Sequence, residues 1–202
     1  MFKANVIGFA LNTGMMLLNQ QLAGYGASAV AAMGIAQKIY SVVMLVMVGF
    51  AFGAQPLIGY NFGAKADKRL REILRFDFKV TLDYALVVAV FLIVIVRPLV
   101  AAFMGDPQIL VMGSEMLRAL LLTTPTVGAI LVFTTVFQST GQAIGALVLA
   151  ISRQGIVFAI AVFLMAHWWA YTGVIFAQAV ADVVTCAIGW GLYKLFRNKL
   201  YQ

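Results

Sequence analysis

Two opposite charges stand alone inside apolar runs of this sequence, Arg153 in "ALVLAISRQG" and Asp182 in "VIFAQAVADVVTCA". Between them lies an aromatic cluster, His167, Trp168, Trp169 and Tyr171, of the kind that anchors a membrane surface. If Trp168 marks the tip of a turn, Arg153 lies fifteen residues before it and Asp182 fourteen after. On antiparallel helices both would then sit roughly 20 Å below the tip, at nearly equal depth. An unpaired charge at that depth is costly, so the two are expected to meet, directly or through water. Such a pair either ties the helices together or serves as a charge relay and ion-coupling site during transport. Replacement of Asp182 by Asn separates the two roles, because a relay would fail while a tie would only loosen.

Uncharged polar residues recur on helical spacing around that pair. Asn5, Asn12 and Asn19 follow a seven-residue step, with Gln20 and Gln21 beside the last. Gln37, Ser41, Met44, Val48, Phe52 and Gln55 share one stripe, and so do Thr124, Gly128, Leu131, Thr135 and Gln138. A fourth stripe holds Gln178, Asp182, Thr185 and Gly189. Any one amide or hydroxyl could serve interhelical hydrogen bonding, but four stripes together favour at least one polar cavity. The candidates for its wall are Asn12, Asn19, Gln37, Lys38, Gln55, Thr135 and Gln138. Lys38 has no evident partner and either snorkels to the surface or stands in the cavity. Arg118 has Glu115 one turn away as its expected partner.

Pro56 and Pro125 should break their helices, since proline lacks an N–H and frees a carbonyl that neighbours or water must satisfy. Gly49, Gly53, Gly59 and Gly63 beside Pro56 suggest close packing or a bend there. Both features fit alternating access without demonstrating it.

The elements that must position these residues are membrane helices. Of 202 residues 63% are hydrophobic and 10% charged, more apolar surface than one soluble core of this length could hide. The apolar runs are continuous rather than alternating, which argues against a β-barrel. Six runs of spanning length lie near 6–23, 33–59, 80–104, 109–138, 143–166 and 172–195. The expected architecture is thus an all-α, polytopic six-helix transmembrane bundle forming a single domain over 1–202. The first run lacks a small-residue cleavage site and reads as a span rather than a signal peptide.

Charge sets the orientation. Lys65, Lys68, Arg69, Arg71, Arg75 and Lys79 gather in one connection, and Lys194, Arg197 and Lys199 in the C-terminal tail. With Lys3 they fall on one side, which the positive-inside rule places in the cytoplasm together with both termini. The net charge of +7 is therefore matched to membrane lipids rather than nucleic acid.

Enzyme signatures are absent from the sequence. It has no phosphate-binding GxxxxGK[ST] loop, and its one His and one Cys, His167 and Cys186, make no metal cluster or nucleophile pair. A lone Cys186 in an apolar run is expected to pack as a small apolar side chain. No cofactor is expected, and any metal site is unassigned.

"GFAFGAQPLIGYNFGAKADKRLRE", residues 49–72, resembles the second-half signature of multidrug and toxic compound extrusion (MATE) transporters. "LLNQQLAGYGASAVAAMGIAQKI" before it, "FQSTGQA" at 137, "SRQG" at 152 and "AD" at 181 extend the likeness along the chain. The resemblance implies one six-helix lobe, the second, of a twelve-helix antiporter that exports amphipathic, often cationic drugs or toxins in exchange for Na+ or H+. It implies that Asn19, Gln37, Gln55 and Gln138 face the interior, and that the chain works in a bacterial cytoplasmic membrane. A complementary lobe, or a second copy as a homodimer, is the implied partner. Two departures stand out: Phe52 replaces a frequent Gln, and the first and fourth helices lack a deep carboxylate, Glu115 lying near the outer end. A lipid-linked saccharide flippase of the same superfamily and a truncated or non-transporting interaction subunit are the alternatives.

Overall fold

The computed structural model describes residues 14–200, with side chains to Arg197; Lys3, Asn5 and Asn12 lie outside the described residues. Helix α1 is helical over 14–23. It is followed by α2 (Ala27–Gly53), α3 (Gln55–Gly63), α4 (Asp67–Val94) and α5 (Val96–Ala101). Then come α6 (Pro107–Leu122), α7 (Thr124–Ser139), α8 (Ala143–Gln154) and α9 (Ile156–Leu200), with no strand among the described residues.

Local chemistry explains most of the boundaries. Gly26 (φ 105°) and Gly141 (φ 74°) take the left-handed turn conformations that connect α1 to α2 and α7 to α8. Asp106 caps α6 by accepting from the backbone N–H groups of Gln108 (2.8 Å) and Ile109 (3.1 Å), with Pro107 in the first turn. Pro56 and Pro125 each occupy the first turn of a new segment, where a missing N–H is harmless. Their effects differ. The break at Ala54 leaves 27–63 long and apolar enough to count as a single crossing, whereas α6 and α7 meet at 46° across Thr123.

The last 55-residue apolar stretch, Ala143–Arg197, cannot be straight. Arg153 and Asp182, 29 residues apart, touch at 3.2 Å, where one continuous helix would hold them roughly 40 Å apart. The chain reverses at Trp169 and Ala170, whose backbone is non-helical (Ala170 φ 47°, ψ −127°). This is the aromatic turn on which the depth argument rested. Gly173 lies against the Met165 carbonyl, so the two limbs leave no room for a side chain there. Trp168 and Trp169 remain largely exposed, edge to face at 5.9 Å.

The surface is apolar and the interior partly polar, the inverse of a soluble protein. Val42, Leu45, Leu86, Val90, Val94 and Phe163 are all exposed, while Thr81, Thr124, Thr135, Asp182 and Thr185 are buried. Among the described residues two stretches, and a third if α6–α7 is one bent span, are long and apolar enough to cross a membrane. One core cluster centres on the α2–α6 contact, with Ala29, Ala32, Met33 and Ala36 packed near Met116, Leu117 and Leu120. Small alanines on α2 allow that close approach. A second cluster around Phe133, Phe137 and Leu149 joins α7 to α8 and α9, and Cys186 packs against it as a partly buried apolar side chain.

Of the two expectations for the glycines beside Pro56, the helix does break there, at Ala54, but close packing is absent. A Cβ built on Gly49, Gly53 or Gly63 would meet nothing within 4 Å, and only Gly59 comes near a neighbour, Ser139. Tightly packed glycines lie elsewhere, among them Gly145 and Gly189, where an added Cβ would come within 2.9 Å of the Phe137 and Phe133 rings. Gly49 and Gly53 instead line an open groove.

Candidate functional site: a buried ion pair beside a polar cavity

The Arg153–Asp182 pair is built from three helices. Arg153 ends α8, Asp182 lies on the returning limb of α9, and Thr123 stands at the α6–α7 bend. Arg153 Nε donates to Asp182 Oδ1 at 3.2 Å, and Gln178 Nε2 donates to the same oxygen at 3.2 Å. Thr123 Oγ1 donates to Oδ2 at 3.4 Å. The Asp182 side chain is sealed at 2% exposure, while the Arg153 side chain retains 15%. Arg153 is therefore the member of the pair that meets the adjoining space.

That space is a cavity of about 370 Å³ between α1, α2, α6, α8 and α9. Gln37, Tyr40, Ser41 and Met44 of α2 form one wall, with Met15, Leu120, Arg153, Gln154 and Gln178 around them. Gln37 Nε2 points to the Met15 sulfur at 3.6 Å, and Arg153 Nη2 approaches the Met44 sulfur at 3.9 Å. The Tyr40 hydroxyl is buried beside the Thr124 hydroxyl. Amide, phenol, hydroxyl and thioether groups around one neutralised ion pair make a lining that suits amphipathic guests better than a strongly charged one.

The remaining sequence candidates separate. Gln55 Nε2 donates to Gln138 Oε1 at 3.3 Å, eighteen residues or roughly 27 Å along the helix from Gln37, so the long stripe resolves into two polar spots. Thr135 is fully buried with its hydroxyl bonded to the Leu131 carbonyl at 3.0 Å, and it faces packed side chains rather than open space. Asn19 and Lys38 are exposed and absent from the cavity wall. Glu115 and Arg118 are likewise exposed, with no ion pair between them among the described residues.

Asp77 escaped the sequence reading, which grouped its surroundings with the headgroup charges. It is 4% exposed, with one oxygen accepting from Thr81 Oγ1 at 3.4 Å and the other, Oδ2, unpartnered. It lines an apolar groove of about 490 Å³ between α2–α3 and α4, floored by Gly49, Gly53 and Phe76. A signal existed: Leu70, Leu74, Asp77, Thr81, Ala85 and Ala89 follow three- and four-residue steps and form the buried face of α4. Among the described residues no group of three or more His, Cys, Asp or Glu could hold a metal ion.

A bundle with an apolar exterior, helices broken within their apolar runs and a partly polar interior defines a polytopic helical membrane protein. The MatE family model matches residues 6–163, and the chain belongs to that family. It is 29% identical over 203 residues to the multidrug export protein MepA of Staphylococcus saprophyticus, covering 98% of this chain and 44% of the relative. The corresponding protein of Staphylococcus haemolyticus is 30% identical over 188 residues, covering 92% of this chain and 40% of the relative. The fold matches the Vibrio cholerae MATE transporter VcmN in its bent form with a TM-score of 0.87 at 19% identity, covering 98% of this chain and 46% of that one. A MOP superfamily transporter from Pyrococcus furiosus matches at 0.88 and 17% identity, covering 98% and 45%. The chain thus spans a little under half the length of these relatives.

Proposed function

We propose that the chain is one six-span lobe of a secondary multidrug antiporter, active with a complementary lobe or a second copy of itself. The reading is transport, not catalysis. The observation that carries it is the 370 Å³ cavity with Arg153 of the buried ion pair in its wall. Three helices converge on that pair, so a movement of any one must rearrange it, which is the property a coupling element in alternating access needs. Substrates would be amphipathic, often cationic, compounds of the kind implied by the name multidrug export protein that the MepA relatives bear. The driving ion is Na+ or H+. The basic segments favour both termini in the cytoplasm, within a bacterial cytoplasmic membrane.

Ethidium efflux in an efflux-deficient bacterium tests the reading, with the chain expressed alone and with a first-half lobe. Export in either case supports it; accumulation unchanged from empty vector in both, with the protein present in the membrane, overturns it. Reconstitution with a Na+ gradient and then a pH gradient identifies the ion. The partial exposure of Arg153 on the cavity wall favours one second reading, an anionic lipid-linked substrate. Transport of an anionic but not a cationic fluorophore would select it.

A further inference from the structure

The groove between α2–α3 and α4 is lined by Asp77, whose Oδ2 is the one buried carboxylate oxygen without a partner among the described residues. Its volume of about 490 Å³ falls within the range of small-molecule sites, roughly 300–1,000 Å³. Phe50, Leu57, Phe76 and Val80 give it apolar walls, and no side chain of the bundle occupies the space over Gly49 and Gly53. Among the described residues no Lys, Arg or His lines the groove and no cation pairs with Asp77. Arg75 and Lys79 flank it in sequence but are exposed and outside the groove wall. Glu72 stands at the rim and also lines the neighbouring recess with Arg71 and Arg75, so Asp77 alone is a carboxylate without a nearby counter-charge. The groove is separate from the cavity at Arg153. At about 100° per residue, Gly49 and Gly53 stand on the side of α2 opposite Gln37, Ser41 and Met44.

A buried carboxylate with an unused oxygen, beside an apolar space that holds no cation of its own, is complementary to a charged N–H donor carried on a hydrocarbon body. Asp77 is sealed at rest but lightly held. Its one bond, from Thr81, is 3.4 Å long, against three donors at Asp182, so little opposes a turn of the carboxylate toward the open glycines. A compact ammonium with three N–H groups can bond it there, whereas a trimethylammonium is bulkier and has no N–H to give. The direction of the helices agrees. Val80 on α4 and Phe50 on the antiparallel α2 lie farther from the basic connection than Glu72 and Leu57 do. A chain laid from Asp77 past Val80 and Phe50 therefore runs toward the bilayer centre, with its charged end at the headgroup side, as an amphipathic cation lies in a leaflet. We propose that this groove is a binding site for a lipophilic primary amine, its ammonium on Asp77 and its chain against Phe50, Phe76 and Val80. A free amine matches the groove better than an aminophospholipid, because the wall offers no cation to a phosphate. The site is independent of the transport reading and needs only that the chain be membrane-embedded.

The test is equilibrium binding of radiolabelled dodecylamine to the full chain in phosphatidylcholine nanodiscs, with empty nanodiscs as the background. The expected result is one saturable site, with affinity lowered about tenfold or more in Asp77→Asn, the scale of one hydrogen bond to a charged group. Gly53→Phe fills the groove without touching its charge and should lower binding to a similar extent. Asp83→Asn removes the same charge from an exposed position of α4 outside the groove and should leave binding unchanged. Dodecyltrimethylammonium should compete about tenfold or more weakly than unlabelled dodecylamine, since it has no N–H to donate. Absence of saturable binding above the empty discs, equal competition by the two cations, or equal loss in Asp83→Asn and Asp77→Asn would overturn the site. Loss of dodecylamine binding when phosphatidylethanolamine replaces phosphatidylcholine would overturn the free-amine assignment in favour of a lipid headgroup.

Discussion

Asp182 and Asp77 are carboxylates of nearly equal burial, 1% and 4% exposed, in neighbourhoods of opposite character. Asp182 accepts from Arg153, Gln178 and Thr123, and about two turns further along the same two limbs Gly145 and Gly189 are pressed against phenylalanine rings of α7. Asp77 has a single hydroxyl partner and an orphan oxygen, beside glycines that touch nothing. A buried charge is tolerable when paired and multiply hydrogen-bonded, and the pairing then fixes whatever elements supply the partners. The α6–α8–α9 junction is closed by its own side chains; the α2–α4 groove is left incomplete by them.

The largest expected effect comes from opening the closed region. Arg153→Met leaves Asp182 buried and unpaired, and should lower stability by about 3–5 kcal/mol, read as thermal unfolding of the purified chain in detergent. Arg153→Met with Asp182→Leu should recover most of that loss, since neither charge is then stranded. A double variant no more stable than the single one would mean that the pair is not the source of the cost. Next in size, Gly145→Ala forces a methyl against the Phe137 ring at 2.9 Å and should cost about 1–3 kcal/mol in the same melt.

The open region should respond weakly. Asp77→Asn removes a half-satisfied group with no counter-charge of its own, so the melt should shift by less than about 1 kcal/mol in either direction. A loss as large as that of Arg153→Met would erase the distinction between the two carboxylates. Smallest of all, Gly53→Ala places a methyl in open space and should be neutral or stabilising by about 0.5–1 kcal/mol from helix propensity. Marked destabilisation there would show that the groove closes in solution.

Legibility in the sequence followed the range of the interaction. Helix breaks at Pro56 and Pro125 were readable because proline's missing N–H acts within its own turn. The meeting of Arg153 and Asp182 was readable because an aromatic turn fixed a common depth for two antiparallel limbs. By contrast, glycine spacing around Pro56 could not say whether a neighbour was present, and at Gly49 and Gly53 none is. Thr135 shares a face with Gln138, yet one is sealed and the other exposed, because Gln138 stands in the last turn of α7, which ends at Ser139. Asp77 was concealed by its basic neighbours Arg75 and Lys79, which point outward from the same helix.

The sequence by itself determined the solvent and the local geometry: apolar composition demands a bilayer, a bilayer demands helices, and proline and glycine say where those helices stop. It also determined that two deep charges must find each other, because hydrocarbon offers no other partner. Only the tertiary structure decided which polar groups share a cavity and which carboxylate is left unsatisfied. Those outcomes depend on the rotation and tilt of each helix against several neighbours at once, and such packing is a property of the assembled bundle rather than of any one segment.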